Sequence, residues 1–419
     1  MSNLLSRADL VLPGGMCGHL NPSFMPPGFP RFFNRAQGPY AWAEDGVRYI
    51  DLVAGYGTNL LGYNNPEVEA AATQQRVAGD TTSLPMAVMI ELAESFTDFV
   101  QHADWAMFMK TGTEANTLAC AIARAHSGKR IILFDKAAHL GAAPWCNPVR
   151  KGLLEEDRAH QGYFDLGDID SLRRAVAAAG DDLAAIITPL FANDGVGSQD
   201  LPSAEFAKQV RVLCDQTGAV HIADDIRGGL WLTRDCSWSL IGPAPDLSTW
   251  GKALGNGYPI AGIAGCDKFR DAARAVYGSG TYWFGAVPMA AALQTLRIVK
   301  ERHVHAHIEQ LGILLRNGLT EIAARHDFSL EQTGPVQIPQ IVFAEDTDFR
   351  FGFAFASELL ARGVYFHPWH NIFLSNSLHT EDIESILSAA DGAMESVSAR
   401  QHLLQPPTGL VELVANLDH

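Results

Sequence analysis

The sequence predicts an α/β protein: a large doubly wound domain with a mainly parallel sheet, followed by a smaller α+β domain. Three observations carry that expectation. The runs RIILFD (130–135), LAAIITPLF (183–191) and AVHIADDI (219–226) are continuously apolar rather than alternating, as parallel strands covered on both faces require. Helical stretches such as SLRRAVAAA and AEFAKQVRVLCDQTG alternate with them, the second closing on Gly218 as a helix cap. After Pro288 the pattern changes: a long helical segment leads into short mixed strands and a last helix near 380–398.

Ahead of the alternating region, residues 1 to about 40 are rich in Pro and Gly and predict a short helix and an extended arm. AWAEDGVRYIDL follows, two alternating runs around Asp45-Gly46, which signals a hairpin. The expected division is therefore an arm and hairpin over 1–50 packing with the small domain, a large domain over 51–290, and the small domain over 291–419.

A 419-residue chain with 47% hydrophobic and 19% charged residues has the composition of an ordinary globular protein. Its formal charge of -16 argues against non-specific binding to nucleic acid or anionic membranes. The six cysteines form no CxxC pair, and several lie in apolar runs, which fits free thiols in a reducing compartment. The N-terminal residues lack the pattern of a signal peptide and no apolar run matches a membrane span, so a cytoplasmic location is expected.

Three segments are candidates for chemistry. Thr111-Gly112-Thr113-Glu114-Ala115-Asn116 opens a helical pattern, and small residues at a helix start leave backbone N–H groups open to an anion. The same residues also fit a plain N-cap with Glu114 in the first turn. Asp224 ends an apolar strand, where ligands of open α/β sheets bind, and its neighbour Asp225 must point the other way. A solvated acidic pair is the alternative there. Lys252 lies amid Trp, Gly, Ala and Leu, surroundings that solvate an ammonium poorly and free the amine as a nucleophile. A surface lysine in a glycine-rich loop is the plainer reading of that segment. Taken together, the three supply a phosphate cradle, a carboxylate for a pyridinium nitrogen and an aldehyde-capturing amine. Pyridoxal 5'-phosphate (PLP) needs those three groups, because its ring is an electron sink only while its nitrogen stays protonated.

With these residues, the chain resembles the class III, fold type I PLP aminotransferases, and within them the glutamate-1-semialdehyde aminomutase branch. The likeness runs from Pro13-Gly14-Gly15 through Tyr49-Ile50-Asp51 and Leu61-Gly62-Tyr63-Asn64 to Gly363-Val364-Tyr365 and His379-Thr380-Glu381-Asp382. It implies that Gly112 and Thr113, with Thr111 beside them, bind the cofactor phosphate, that Asp224 pairs with the ring nitrogen and that Ile226 packs under the ring. It implies Lys252 as the Schiff-base lysine. Thr281 matches a threonine that reaches the phosphate from the neighbouring subunit, which implies a homodimer with active sites at the interface. The implied partners are a small-molecule amine donor and a keto-acid acceptor such as pyruvate, with neither nucleic acid nor membrane.

Several positions depart from the family. His139-Leu140-Gly141 stands where the family has Tyr-His-Gly, so His139 replaces a stacking phenol; Asp-Glu-Val becomes Asp224-Asp225-Ile226, and Glu-Pro becomes Thr188-Pro189. The arm carries Cys17-Gly18-His19-Leu20-Asn21 where aminomutases place an arginine that grips the substrate carboxylate. Asn21 offers no charged bidentate grip. An amine without a nearby carboxylate is thus the expected donor. His102-Ala103-Asp104-Trp105-Ala106-Met107-Phe108 and Arg234-Asp235-Cys236-Ser237-Trp238 resemble, beyond the general motifs, aminotransferases that act on hydrolysed fumonisin, a long-chain amino-polyol. An aminomutase, a β- or ω-amino acid transaminase using Arg227 as the cation, and an inactive binding protein on the same fold are the competing readings. Asn21, Tyr56, His367 and Trp369 are expected beside the substrate, with a core tyrosine as the alternative for Tyr56. His303, His305 and His307 have no carboxylate or cysteine at ligand spacing, so a solvated helix rather than a metal site is expected.

Overall fold

The apolar runs form the strands predicted for them. In the computed structural model, which describes residues 4–16, 24–26, 28–191 and 198–415, thirteen strands are described. They are β1 (Phe33–Gln37), β2 (Tyr40–Ala43), β3 (Arg48–Asp51), β4 (Trp105–Met109), β5 (Ile131–Asp135), β6 (Gln161–Phe164), β7 (Leu183–Pro189), β8 (Val220–Asp224), β9 (Leu247–Trp250), β10 (Ala261–Gly265), β11 (Leu330–Thr333), β12 (Gln340–Phe343) and β13 (Val364–Tyr365). Two compact units result, one from Met1–Ala54 with His307–Asp418 and one from Gly55–Ala306.

The second unit is built on a seven-stranded sheet in the order β4-β10-β9-β8-β7-β5-β6. Every residue of β7, β8 and β10 is buried, the condition that selects unbroken apolar runs. The β5, β6, β7, β8 and β9 pairings are parallel, while β10 runs antiparallel to both β4 and β9. β4 therefore points the same way as β9, and the carboxyl ends of β4, β5, β8 and β9 share one edge of the sheet. Register sets Pro189 beside Asp224 and Asp224 beside Thr249. The helix Gly112–Ser127 lays Ala115, Leu118, Ala119, Ile122 and Ala123 against the sheet and stops at Gly128, whose φ of 70° suits a residue without a Cβ. Among the described residues, no helix is long and apolar enough to cross a membrane.

The first unit holds the hairpin: β2 pairs with β3 antiparallel, and Val47 N–H bonds Asp45 Oδ1 at 3.0 Å in the turn. β13 joins β3 in parallel, Tyr40 O–H reaches Asp382 Oδ1 at 2.5 Å, and Trp369 Nε1–H bonds the Phe24 carbonyl at 3.2 Å. The last helix spans Thr380–Arg400. The long helical pattern after Pro288 is two helices, Ala286–Glu301 and Val304–Arg325. The first of them packs on helices Pro66–Ala78 and Val88–Phe99 and so belongs to the unit with the large sheet, which extends that unit further along the chain than the expected boundary. Among the three histidines there, only His303 is exposed; His305 Nε2 and His307 Nε2 each lie 2.9 Å from a main-chain carbonyl, of Leu230 and Leu378. Two of them are thus half-buried structural groups rather than a solvated face.

Candidate active site

The carboxyl edge of the large sheet borders a cavity of about 360 Å³ whose walls include Gly112, Thr113, His139, Ile226 and Lys252, while Asp224 lies at the same edge without being part of the wall. β4 leads into the helix start, β5 into the turn with His139, β8 into Asp224 and Ile226, and β9 into Lys252.

Thr111 is the N-cap of the helix Gly112–Ser127. Its Oγ1 accepts the Glu114 N–H at 3.2 Å, and Glu114 Oε2 accepts the Thr111 N–H at 2.8 Å, a complete capping box. The cap reading is borne out, and Gly112 and Thr113 line the cavity while Thr111 does not. Glycine at 112 has a steric cause: a Cβ there would stand 2.6 Å from Ile226 Cδ1. Gly141 is similarly pressed, its would-be Cβ 2.3 Å from Thr113 Oγ1, and Ala142 N–H donates to that hydroxyl at 3.2 Å. The helix start and the His139 turn are thereby locked to each other.

Asp224 is 9% exposed and its carboxyl is pushed above the usual range by burial. The opposing influences are the Ile226 N–H at 3.1 Å from Oδ1, the Asn116 amide at 3.0 Å from Oδ2, and the charges of Arg227 and Lys252. Asp225 turns the other way, as adjacent residues of an extended chain must, and accepts from Ser237 N–H at 2.7 Å. Neither acid is solvated, so the exposed-pair alternative is excluded.

Lys252 is not a surface lysine. Burial is the first cause that lowers its pKa, to about 8, followed by the Arg227 guanidinium, while Asp224 acts in the opposite sense. Its backbone is left-handed with φ 42°, an uncommon conformation for a residue with a Cβ, and its Nζ donates to the Tyr56 carbonyl at 3.1 Å. Tyr56 meets the lysine through its main chain, and its side chain does not line the cavity. Arg227 is engaged with Gln199 Oε1 at 3.0 Å.

Thr281 is exposed in a turn and absent from the cavity wall of its own chain. His367 and Trp369 are buried in the first unit, where His367 Nδ1 accepts the His370 N–H at 3.1 Å and the two rings meet edge-on at 4.6 Å. Asn21, with the arm from Cys17, lies outside the described residues. The cavity also takes in Thr58, Lys110, Tyr258, Pro259 and Ile260, for which the sequence carried no chemical signal. Asn116 was available to sequence reasoning as a partner of the site: it follows Gly112 by one helical turn and so shares its face.

These groups fit PLP on their own chemistry. A helix start with free N–H groups suits a phosphate, a buried strand-end carboxylate suits a protonated ring nitrogen, and a poorly solvated amine suits an aldehyde.

Comparison with known proteins agrees. The family model described as "Aminotransferase class-III" matches residues 25–143 and 149–387. The chain belongs to the class III aminotransferases and is a PLP-dependent enzyme of fold type I. It is 46% identical over 411 residues to the aminopentol aminotransferase of Sphingopyxis macrogoltabida, covering 98% of this chain and 97% of that one. A glutamate-1-semialdehyde 2,1-aminomutase of Syntrophobacter fumaroxidans is 30% identical, covering 94% of this chain and 98% of the other. The solved FumI protein of Sphingopyxis sp. MTA144, in its PLP internal aldimine form, superimposes with a TM-score of 0.96 at 46% identity, covering 97% and 98% of the two chains.

Proposed function

We propose that this aminotransferase takes its amino group from a long-chain amine lacking an α-carboxylate, an amino-polyol of the aminopentol type, and passes it to a keto acid such as pyruvate. The observation that carries the reading is that the poorly solvated Lys252 amine lines the cavity at the same sheet edge as the buried strand-end acid Asp224. Bound PLP would supply an electron sink. Lys252 would hold the cofactor through its aldehyde and, when freed by the donor amine, would serve as the acid–base group that carries the proton. Asp224 would keep the ring nitrogen protonated, Gly112 and Thr113 would hold the phosphate, and His139 and Ile226 would contact the ring. Thr281 completes the phosphate site of the other subunit of a homodimer.

The donor class rests on three supports: 46% identity to an aminopentol aminotransferase, the missing arginine in the arm, and the absence of any arginine from the described cavity wall. Arg227, bonded to Gln199, is not on that wall either.

Borohydride reduction with PLP should leave a pyridoxyl mass on Lys252, and Lys252→Ala should abolish transamination. A donor panel with pyruvate should favour amino-polyols over α-amino acids. Rapid turnover of an amino aldehyde acid without pyruvate would instead identify an aminomutase.

A further inference from the structure

Asn116 is fully buried, and its amide is fully used. Nδ2 donates to Asp224 Oδ2 at 3.0 Å and to the Leu140 carbonyl at 3.0 Å, while Oδ1 accepts the Thr249 hydroxyl at 2.7 Å. Thr249 is likewise fully buried, on β9 directly beside Asp224 in register. The orientation follows from the partners. A carboxylate and a carbonyl only accept, so the NH₂ end must face them, and the hydroxyl must then donate to the oxygen end. A flipped amide would set its Oδ1 against two acceptor oxygens and leave its NH₂ only the Thr249 hydroxyl to accept an N–H, a costly arrangement in a buried site.

We infer that Asn116, oriented by Thr249, is the positioning residue that fixes the Asp224 carboxylate and ties it to the turn bearing His139. One carboxylate oxygen is set by the Ile226 main chain and the other by this amide. The second N–H, on Leu140, joins the acid to the residue next to His139. The spacing between the acid and the turn bearing His139 is therefore held through one side chain, while Ile226 is tied to the acid directly by its main-chain N–H. The inference rests on the reading of Asp224 as the partner of the cofactor's ring nitrogen, and deepens it.

Removing the amide removes a donor that favours the ionised acid. The charged and titratable groups around Asp224 are Lys252, Arg227, Asp225 and the thiols of Cys120 and Cys146, and each of them stays in place. Burial then raises the Asp224 carboxyl further, and the acid limb of activity moves to higher pH.

The test uses full-length wild type, Asn116→Leu and Thr249→Val, each stripped of cofactor and titrated with PLP. Asn116→Leu should weaken PLP binding by about 10-fold, the loss of one hydrogen bond to a charged group. It should also shift the acid limb of kcat/KM upward, together with the pH midpoint of the visible band. Thr249→Val, which keeps the shape and removes only the orienting hydroxyl, should move both readouts the same way by about 3-fold; it decides the matter if Asn116→Leu does not fold. Wild-type PLP affinity and wild-type pH midpoints in the variants overturn the inference. So does a fall in kcat with both midpoints unmoved, since a merely structural role would give that. Absence of a pyridoxyl mass on Lys252 of the wild type overturns the functional reading itself, whereas a labelled wild type with unchanged variants overturns this inference alone.

Discussion

The depressed pKa of Lys252 makes this poorly solvated amine a stability defect in the cofactor-free enzyme. The folded value is about 8 against an ordinary 10.5. Below pH 8 both folded and unfolded chains carry the proton, and the folded state bears the full cost of the buried charge, about 3 kcal/mol. Between pH 8 and 10.5 the unfolded chain binds more protons than the folded one, so stability rises with pH and the cost disappears. Lys252→Met removes the charge while keeping an unbranched chain of similar length, and loses only the bond to the Tyr56 carbonyl, about 1 kcal/mol. The apo variant should therefore be about 2 kcal/mol more stable than apo wild type at pH 7, and the advantage should vanish or reverse by pH 10.5. Urea unfolding of both apo proteins across that range measures it, and the difference between them cancels every other titrating group. A pH-independent difference, or an apo variant less stable at pH 7, would refute the assignment of a poorly solvated amine.

Other outcomes follow from the same geometry. Gly112→Ala places a Cβ 2.6 Å from Ile226 Cδ1, so PLP affinity should fall about 10-fold, and Ile226→Ala in the same chain should restore part of it; an unaltered dissociation constant for the single variant would remove the steric account of this glycine. Asp224→Asn should cost transamination at least 100-fold while leaving Lys252 open to pyridoxyl labelling, because an amide cannot stabilise a pyridinium charge. The proposed homodimer, rather than the geometry of one chain, predicts that Thr281→Ala weakens cofactor binding and that in hybrids with Lys252→Ala the loss falls in the site of the opposite subunit, which activity of the hybrids would reveal.

What the residues alone determined was the fold class, three strands of the large sheet and the candidates for its reactive groups. Unbroken apolar runs have one low-energy use, as strands covered on both faces, so β5, β7 and β8 were legible with ends close to those observed. A strand-end acid, a glycine-bearing helix start and a lysine in apolar surroundings are local patterns, and all three arrive at one edge of that sheet. Tertiary structure decided what local pattern cannot carry. The reversed strand β10 and the break between Glu301 and Val304 depend on which surfaces meet, and the helix Ala286–Glu301 joined the large unit because helices Pro66–Ala78 and Val88–Phe99 cover it. Asn116, Leu140, Thr249 and Asp224 lie far apart along the chain, and their hydrogen bonds exist only once β8, β9 and the helix Gly112–Ser127 are packed. A buried polar group shows its purpose only through its partners, and partners distant in sequence are assigned by the fold.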